Sequence, residues 1–173
     1  ATPVARFSLA GLGQGSLHAT GVARNLTTGH LWFLVPGTGL VEAMRESFDR
    51  IYSIELSREY FVRARERFRF AGHIELICGD SGSELGHLVP NLNAPALFWL
   101  DGHYSAGKTE RGNKDTPVIE ELQHILSSHE QRHVVIIDDA RCFGTDPGYP
   151  TLDELRQFIL SNDKDREMAI VDD

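Results

Sequence analysis

The chain has 173 residues, a formal net charge of -8, 41% apolar and 24% charged residues, the size and composition of one globular domain with a real core. The acidic balance argues against nucleic-acid backbones or anionic membranes as the main partner, and no apolar run approaches the ~20 residues that span a bilayer. Ala1 to Gly15 lack the basic start and apolar core of a signal peptide, while Cys78 and Cys142 make neither a metal spacing nor a disulfide framework; reduced thiols in a cytoplasmic protein are the simplest expectation.

No acidic residue precedes Glu42, and residues 1–30 are rich in Gly, Ala and Thr. They read as an irregular lead-in to one α/β domain over residues 31–173. Leu31 to Val35 reads as a strand, Pro36-Gly37-Thr38-Gly39 as a turn and Leu40 to Ser47 as a short helix. Arg50 to Ile54 is a second strand, closed by Glu55. Ser57 is a suitable N-cap for a helix to about Phe70, with Glu59 in its first turn and Tyr60, Phe61, Ala64 and Phe68 on one face. Ile74 to Ile77 is a third strand, followed by Gly79-Asp80-Ser81 and a weaker helix ending before Pro90.

Ala96 to Leu100 and His133 to Ile137 read as fourth and fifth strands. Their apolar residues follow one another without alternation, as in strands buried on both faces of a parallel sheet. Thr116 with Pro117 opens the helix between them, and Thr151 with Glu154 has the spacing of a capping box for a helix to about Leu160. Met168 to Val171 has the look of a sixth strand. Alternating strands and helices predict a doubly wound α/β sheet.

A strand, a glycine turn and a helix bring backbone N–H groups to an anionic ligand. Gly11-Leu12-Gly13-Gln14-Gly15 and Gly37-Thr38-Gly39 both qualify, but only Gly37 has an acidic residue, Glu55, 18 positions on at the end of the next strand. A carboxylate there accepts hydrogen bonds from ribose hydroxyls. Asp80, taken alone, reads as a helix cap; beside Glu55 and the turn it is a candidate for the exocyclic amine of a base.

The fourth and fifth strands run into Asp101 and into Asp138-Asp139. Parallel strands end on one edge of the sheet, so these three carboxylates are expected to converge where open α/β sheets place their ligands. Their mutual repulsion calls for a hard divalent ion. Asp101-Gly102-His103-Tyr104 opens a long loop before Thr116, and His103 is a candidate general base, or else an exposed loop histidine. Lys108, Arg111 and Lys114 give that loop a positive face. His129-Glu130-Gln131-Arg132-His133 matches the zinc-peptidase HExxH pattern, but its second histidine opens a strand rather than lying on a helix.

The ordered set Gly37-Thr38-Gly39, Glu55, Gly79-Asp80-Ser81, Asp101, Asp138-Asp139 resembles class I S-adenosylmethionine-dependent methyltransferases, and among them the macrocin-type and catechol-type metal-dependent O-methyltransferases. The resemblance implies a sheet of order 3-2-1-4-5-7-6, with the last strand expected to be missing from these residues. It assigns Gly37 and Gly39 to the methionine end of S-adenosylmethionine, Glu55 to its ribose and Asp80 to its adenine, with Thr38 and Ser81 beside them as further cofactor-binding candidates. Asp101, Asp138 and Asp139 become ligands of magnesium or another divalent cation; Asp101 and, from its place two residues further on, His103 are the candidate catalytic residues. The chain departs from many relatives at Val35, which stands in place of an acidic residue, and at Val41, which replaces a third glycine and is expected to crowd the cofactor.

The function implied is magnesium-assisted O-methylation of a small hydroxylated molecule, with neither nucleic acid nor membrane as partner. Two rivals stand beside it. A nucleotide-binding Rossmann oxidoreductase would want the third glycine and a Tyr-x-x-x-Lys spacing, which the chain lacks. A degenerate, non-catalytic methyltransferase-fold module is favoured by Val35 and Val41.

Overall fold

Of the two unbroken apolar runs, Ala96 to Leu100 lies inside a parallel sheet, while Val134 to Ile137, expected to be buried on both faces, is its half-buried end strand among the described residues. The structure, a computed structural model, describes residues 32–34 (as backbone), 41–42, 48–101, 116–129, 133–146 and 148–170. Five strands, β1 (Trp32–Leu34), β2 (Arg50–Glu55), β3 (Ile74–Cys78), β4 (Ala96–Leu100) and β5 (Val134–Ile137), make one sheet of order 3-2-1-4-5. Every pairing is parallel. This order matches the first five positions of the expected sheet.

Four helices lie against it among the described residues: α1 (Arg58–Arg67), α2 (Ser81–Leu88), α3 (Val118–Leu126) and α4 (Leu152–Asn162). All five residues of β4 are buried, and period-two geometry sends them alternately to two cores. Phe98 and Leu100 join Leu85, Leu122, Ile125 and Leu155 from α2, α3 and α4. Leu97 and Trp99 join Val41, Ile51, Ala64 and Phe68 on the side of α1. Val41 is fully buried there. Its branched side chain is packed in that core with Ile51, Ala64 and Phe68. β5 is only half-buried along its length, as befits the outer strand among the described residues.

Local signals explain most boundaries. Thr151 and Glu154 form a reciprocal capping box at the start of α4. Thr116 Oγ1 accepts from the N–H of Val118 at 3.3 Å, and Pro117 occupies the cap position one residue before α3. Ser57 stands at the cap position of α1 but makes no side-chain cap; instead its N–H donates to Glu55 Oε1 at 2.9 Å.

Met168 to Ile170 are not a strand. The turn before them is tied down by Arg166, which bonds Asp163 Oδ2 at 3.0 Å and the carbonyl of His133 at 2.6 Å. Met168 packs on the core while Ile170 is 55% exposed. A short apolar run makes a strand only beside a ladder partner, and none pairs with this segment among the described residues.

Candidate active site

The order 3-2-1-4-5 reverses direction at β1, and this decides where a ligand fits. The chain after β1 joins the α1-side core through Val41, whereas the chain after β4 enters α3 in the opposite core. The two connections part at the carboxyl ends of β1 and β4, the crevice used by open α/β sheets.

Register brings the expected residues to that edge. Glu55 pairs with Cys78, and the N–H of Gly79 continues the ladder to the carbonyl of Glu55 at 3.1 Å. Leu100 pairs with Ile137, and the N–H of Asp138 reaches the carbonyl of Leu100 at 2.9 Å. Glu55, Asp80, Asp101 and Asp138 therefore leave the sheet along one rim. Gly37, Thr38, Gly39 and His103 lie outside the described residues, as do Val35, Lys108, Arg111 and Lys114.

Each placed carboxylate has a distinct environment. Glu55 is oriented by the N–H of Ser57, so its side chain turns back over the start of α1. Asp80 caps α2: its Oδ2 accepts from the N–H and the hydroxyl of Ser83, each at 3.1 Å. The cap role expected of a lone aspartate is thus real, and it fixes Ser81 as the first residue of the helix. Asp101 and Asp138 line a small pocket with Leu100, Glu121, Phe143 and Tyr149. Tyr149 packs edge-on against Phe143, and burial chiefly pushes its hydroxyl up to about 12, so it stays protonated.

Asp139 behaves differently from the expectation. Its backbone is left-handed, with φ 55° and ψ 46°, at the entry to a 3-10 turn over Ala140–Cys142. Its N–H donates to Asp138 Oδ1 at 2.8 Å, and its nearly buried carboxylate forms an ion pair with Arg141. Among the described residues no group of three His, Cys, Asp or Glu side chains is arranged to hold a metal ion. No magnesium site is thus shown at the three aspartates, and the charge of Asp139 is met by the guanidinium of Arg141.

Sequence reasoning missed Glu121. It lies on the buried stripe of α3 with Val118, Leu122 and Ile125, and is 2% exposed. Burial pushes its carboxyl up to about 7; a hydrogen bond with Ser81 opposes that shift, while the charges of Asp80 and Asp101 add to it. A glutamate at a core position of an amphipathic helix was the available signal.

The HExxH reading ends at His133, which opens β5 at the opposite edge of the sheet. Its Nδ1 accepts from the N–H of Ala96 at 3.1 Å, its Nε2 meets Ser128 Oγ at 3.1 Å, and its ring sits edge-on to Phe98. Accepting at Nδ1 makes Nε2 the donor of a neutral ring. This is a packed structural histidine. Cys78 and Cys142 are free thiols, and no described helix is long and apolar enough to cross a membrane.

No protein-family model and no curated protein matches the sequence. Among solved structures, one that the chain resembles is a candidate methyltransferase from Streptococcus mutans in complex with SAH, at 15% identity and a TM-score of 0.39, over 59% of this chain and 58% of that one. Another is a candidate rRNA methylase from Clostridium thermocellum, at 14% identity and a TM-score of 0.47, over 80% of this chain and 75% of that one. The chain thus spans less than two thirds of the length of the first. At these identities and scores neither likeness assigns a residue, a cofactor or a substrate to this chain.

Proposed function

We propose that the protein is an S-adenosylmethionine-dependent methyltransferase that methylates a hydroxyl group of a small molecule. The observation that carries this reading is the rim itself: a 3-2-1-4-5 parallel sheet with Glu55 ending β2, Asp80-Ser81 after β3 and Asp101 after β4. In this reading Glu55 accepts from the ribose hydroxyls, and Asp80 with Ser81 borders the adenine. Gly37, Thr38 and Gly39 cradle the methionine end. The bound cofactor supplies an electrophilic methyl group on sulfur.

The chain's residues then orient the acceptor and handle one proton. Asp101 and the neighbouring Asp138 face the acceptor side, and His103 takes the hydroxyl proton as the oxygen–carbon bond forms and the carbon–sulfur bond breaks.

Small molecules are favoured over RNA by the charge of -8. Transfer of label from methyl-tritiated S-adenosylmethionine to a panel of phenols, catechols and sugar hydroxyls, with RNA as a parallel acceptor, tests the reading. Label on a small-molecule hydroxyl is the expected result. Label on RNA alone would overturn the substrate class, and cofactor binding without transfer to any acceptor would favour a non-catalytic module.

A further inference from the structure

α3 carries a carboxyl at a core position. Val118, Leu122 and Ile125 form its apolar stripe, and Glu121 sits among them on the same face. A carboxyl taken out of water is costly unless a polar partner meets it. The partner here is Ser81, the first residue of α2.

The two helices are brought close enough for this by small residues. A methyl group at Gly82 would lie 3.4 Å from both Pro117 Cβ and Glu120 Cβ, and one at Gly86 would lie 2.9 Å from His124 Cε1. The start of α2 is thus held from two directions. Asp80 holds it from within through Ser83, and Glu121 holds it from α3 through Ser81. Glu121 also lines the pocket that contains Asp101 and Asp138. One buried side chain therefore joins the corner after β3 to the strand ends of β4 and β5.

We propose that Glu121 is a positioning residue for the cofactor, holding the Asp80–Ser81 corner in the geometry that receives the adenine through its hydrogen bond to Ser81. The inference rests on the cofactor reading given above. It differs from a packing role because its effect passes through Ser81 and appears in ligand affinity rather than in stability alone.

The test measures SAH affinity by calorimetry and melting temperature on the full chain, for the native protein, Glu121→Gln, Glu121→Leu, Ser81→Ala and the Ser81→Ala/Glu121→Leu double variant. Leucine suits the apolar stripe, so the Glu121→Leu chain is expected to fold. The expected result is affinity within about threefold of native for Glu121→Gln, which keeps the hydrogen bond, and a loss of about tenfold or more for Glu121→Leu and for Ser81→Ala. The double variant should bind no worse than the weaker single one, because both act on one contact.

Native affinity in a folded Glu121→Leu chain, a loss in Glu121→Gln as large as in Glu121→Leu, or additive losses in the double variant would each overturn the proposal. If Glu121→Leu does not fold, Ser81→Ala alone and combined with Glu121→Gln decides: full affinity in Ser81→Ala overturns it. Absence of SAH binding by the native chain is a different failure, that of the cofactor reading itself.

Discussion

Arg141 forms an ion pair with Asp139, whose backbone sits in the left-handed region at the end of β5. The pair holds a sharp turn that carries the chain from the sheet rim into the 3-10 turn over Ala140–Cys142 and on to Phe143 in the core. Asp139 is thus a structural corner beside the site. Alanine there loses the ion pair and must adopt a conformation that aspartate and asparagine tolerate better. Asp139→Ala should destabilise the fold by about 2–3 kcal/mol, and Asp139→Asn and Asp139→Gly by less. Urea denaturation of the three variants measures the order. Equal losses in all three would show that backbone geometry plays no part.

The same pair bears on magnesium. With Asp139 engaged, millimolar magnesium should move the melting temperature by no more than about 1 °C, and a chelator should leave SAH affinity unchanged. A rise of several degrees that disappears in Asp138→Asn would reinstate a metal at Asp138.

Glu121 gives the fold a pH dependence of definite sign. Its carboxyl titrates at about 7 in the folded chain against 4.5 as the ordinary value, mainly because it is buried. Between those pH values the unfolded chain has released the proton and the folded chain still holds it, so stability falls as pH rises. The contribution is fully present below about 4.5 and is lost as pH rises through about 7. At about 1.4 kcal/mol per pH unit it is on the order of 3 kcal/mol. Glu121→Gln should flatten the stability profile across this window and be the more stable protein at pH 8. Parallel profiles for native and variant would contradict the assignment.

His133 makes a separate prediction at the far edge of the sheet. Its removal takes away the acceptor of the Ala96 N–H and a partner of the Ser128 hydroxyl, and leaves a void against Phe98. His133→Ala should cost about 3–4 kcal/mol of stability while leaving SAH affinity of the folded protein intact. A selective loss of SAH affinity in a stably folded variant would count against a purely structural role.

The parallel strands and their carboxyl rim were legible because two-sided burial writes itself as an unbroken apolar run, Ala96 to Leu100 above all, whereas the strand order came only with the family resemblance. The α4 capping box was legible because both halves of it are local. Asp139 was not, since its pairing with Arg141 depends on a turn conformation that residue types alone leave open. Met168 to Ile170 misled for a related reason: a short apolar run says nothing of whether a neighbouring edge exists to pair with. Glu121 could have been found. A glutamate in the register of Val118, Leu122 and Ile125 breaks the apolar stripe of α3, and such breaks mark residues kept for a purpose other than packing.

The central claim is that the rim built by Glu55, Asp80 and Asp101 binds an adenosine-containing sulfonium cofactor. Its most direct test is a calorimetric titration of the full chain with S-adenosylmethionine, SAH and NAD, repeated with Glu55→Ala. The account predicts saturable one-site binding of S-adenosylmethionine and SAH, no binding of NAD, and a loss of about 1.5–3 kcal/mol in Glu55→Ala, the usual worth of hydrogen bonds to a charged group. Binding of NAD in preference to SAH, or full SAH affinity in a folded Glu55→Ala chain, would contradict it.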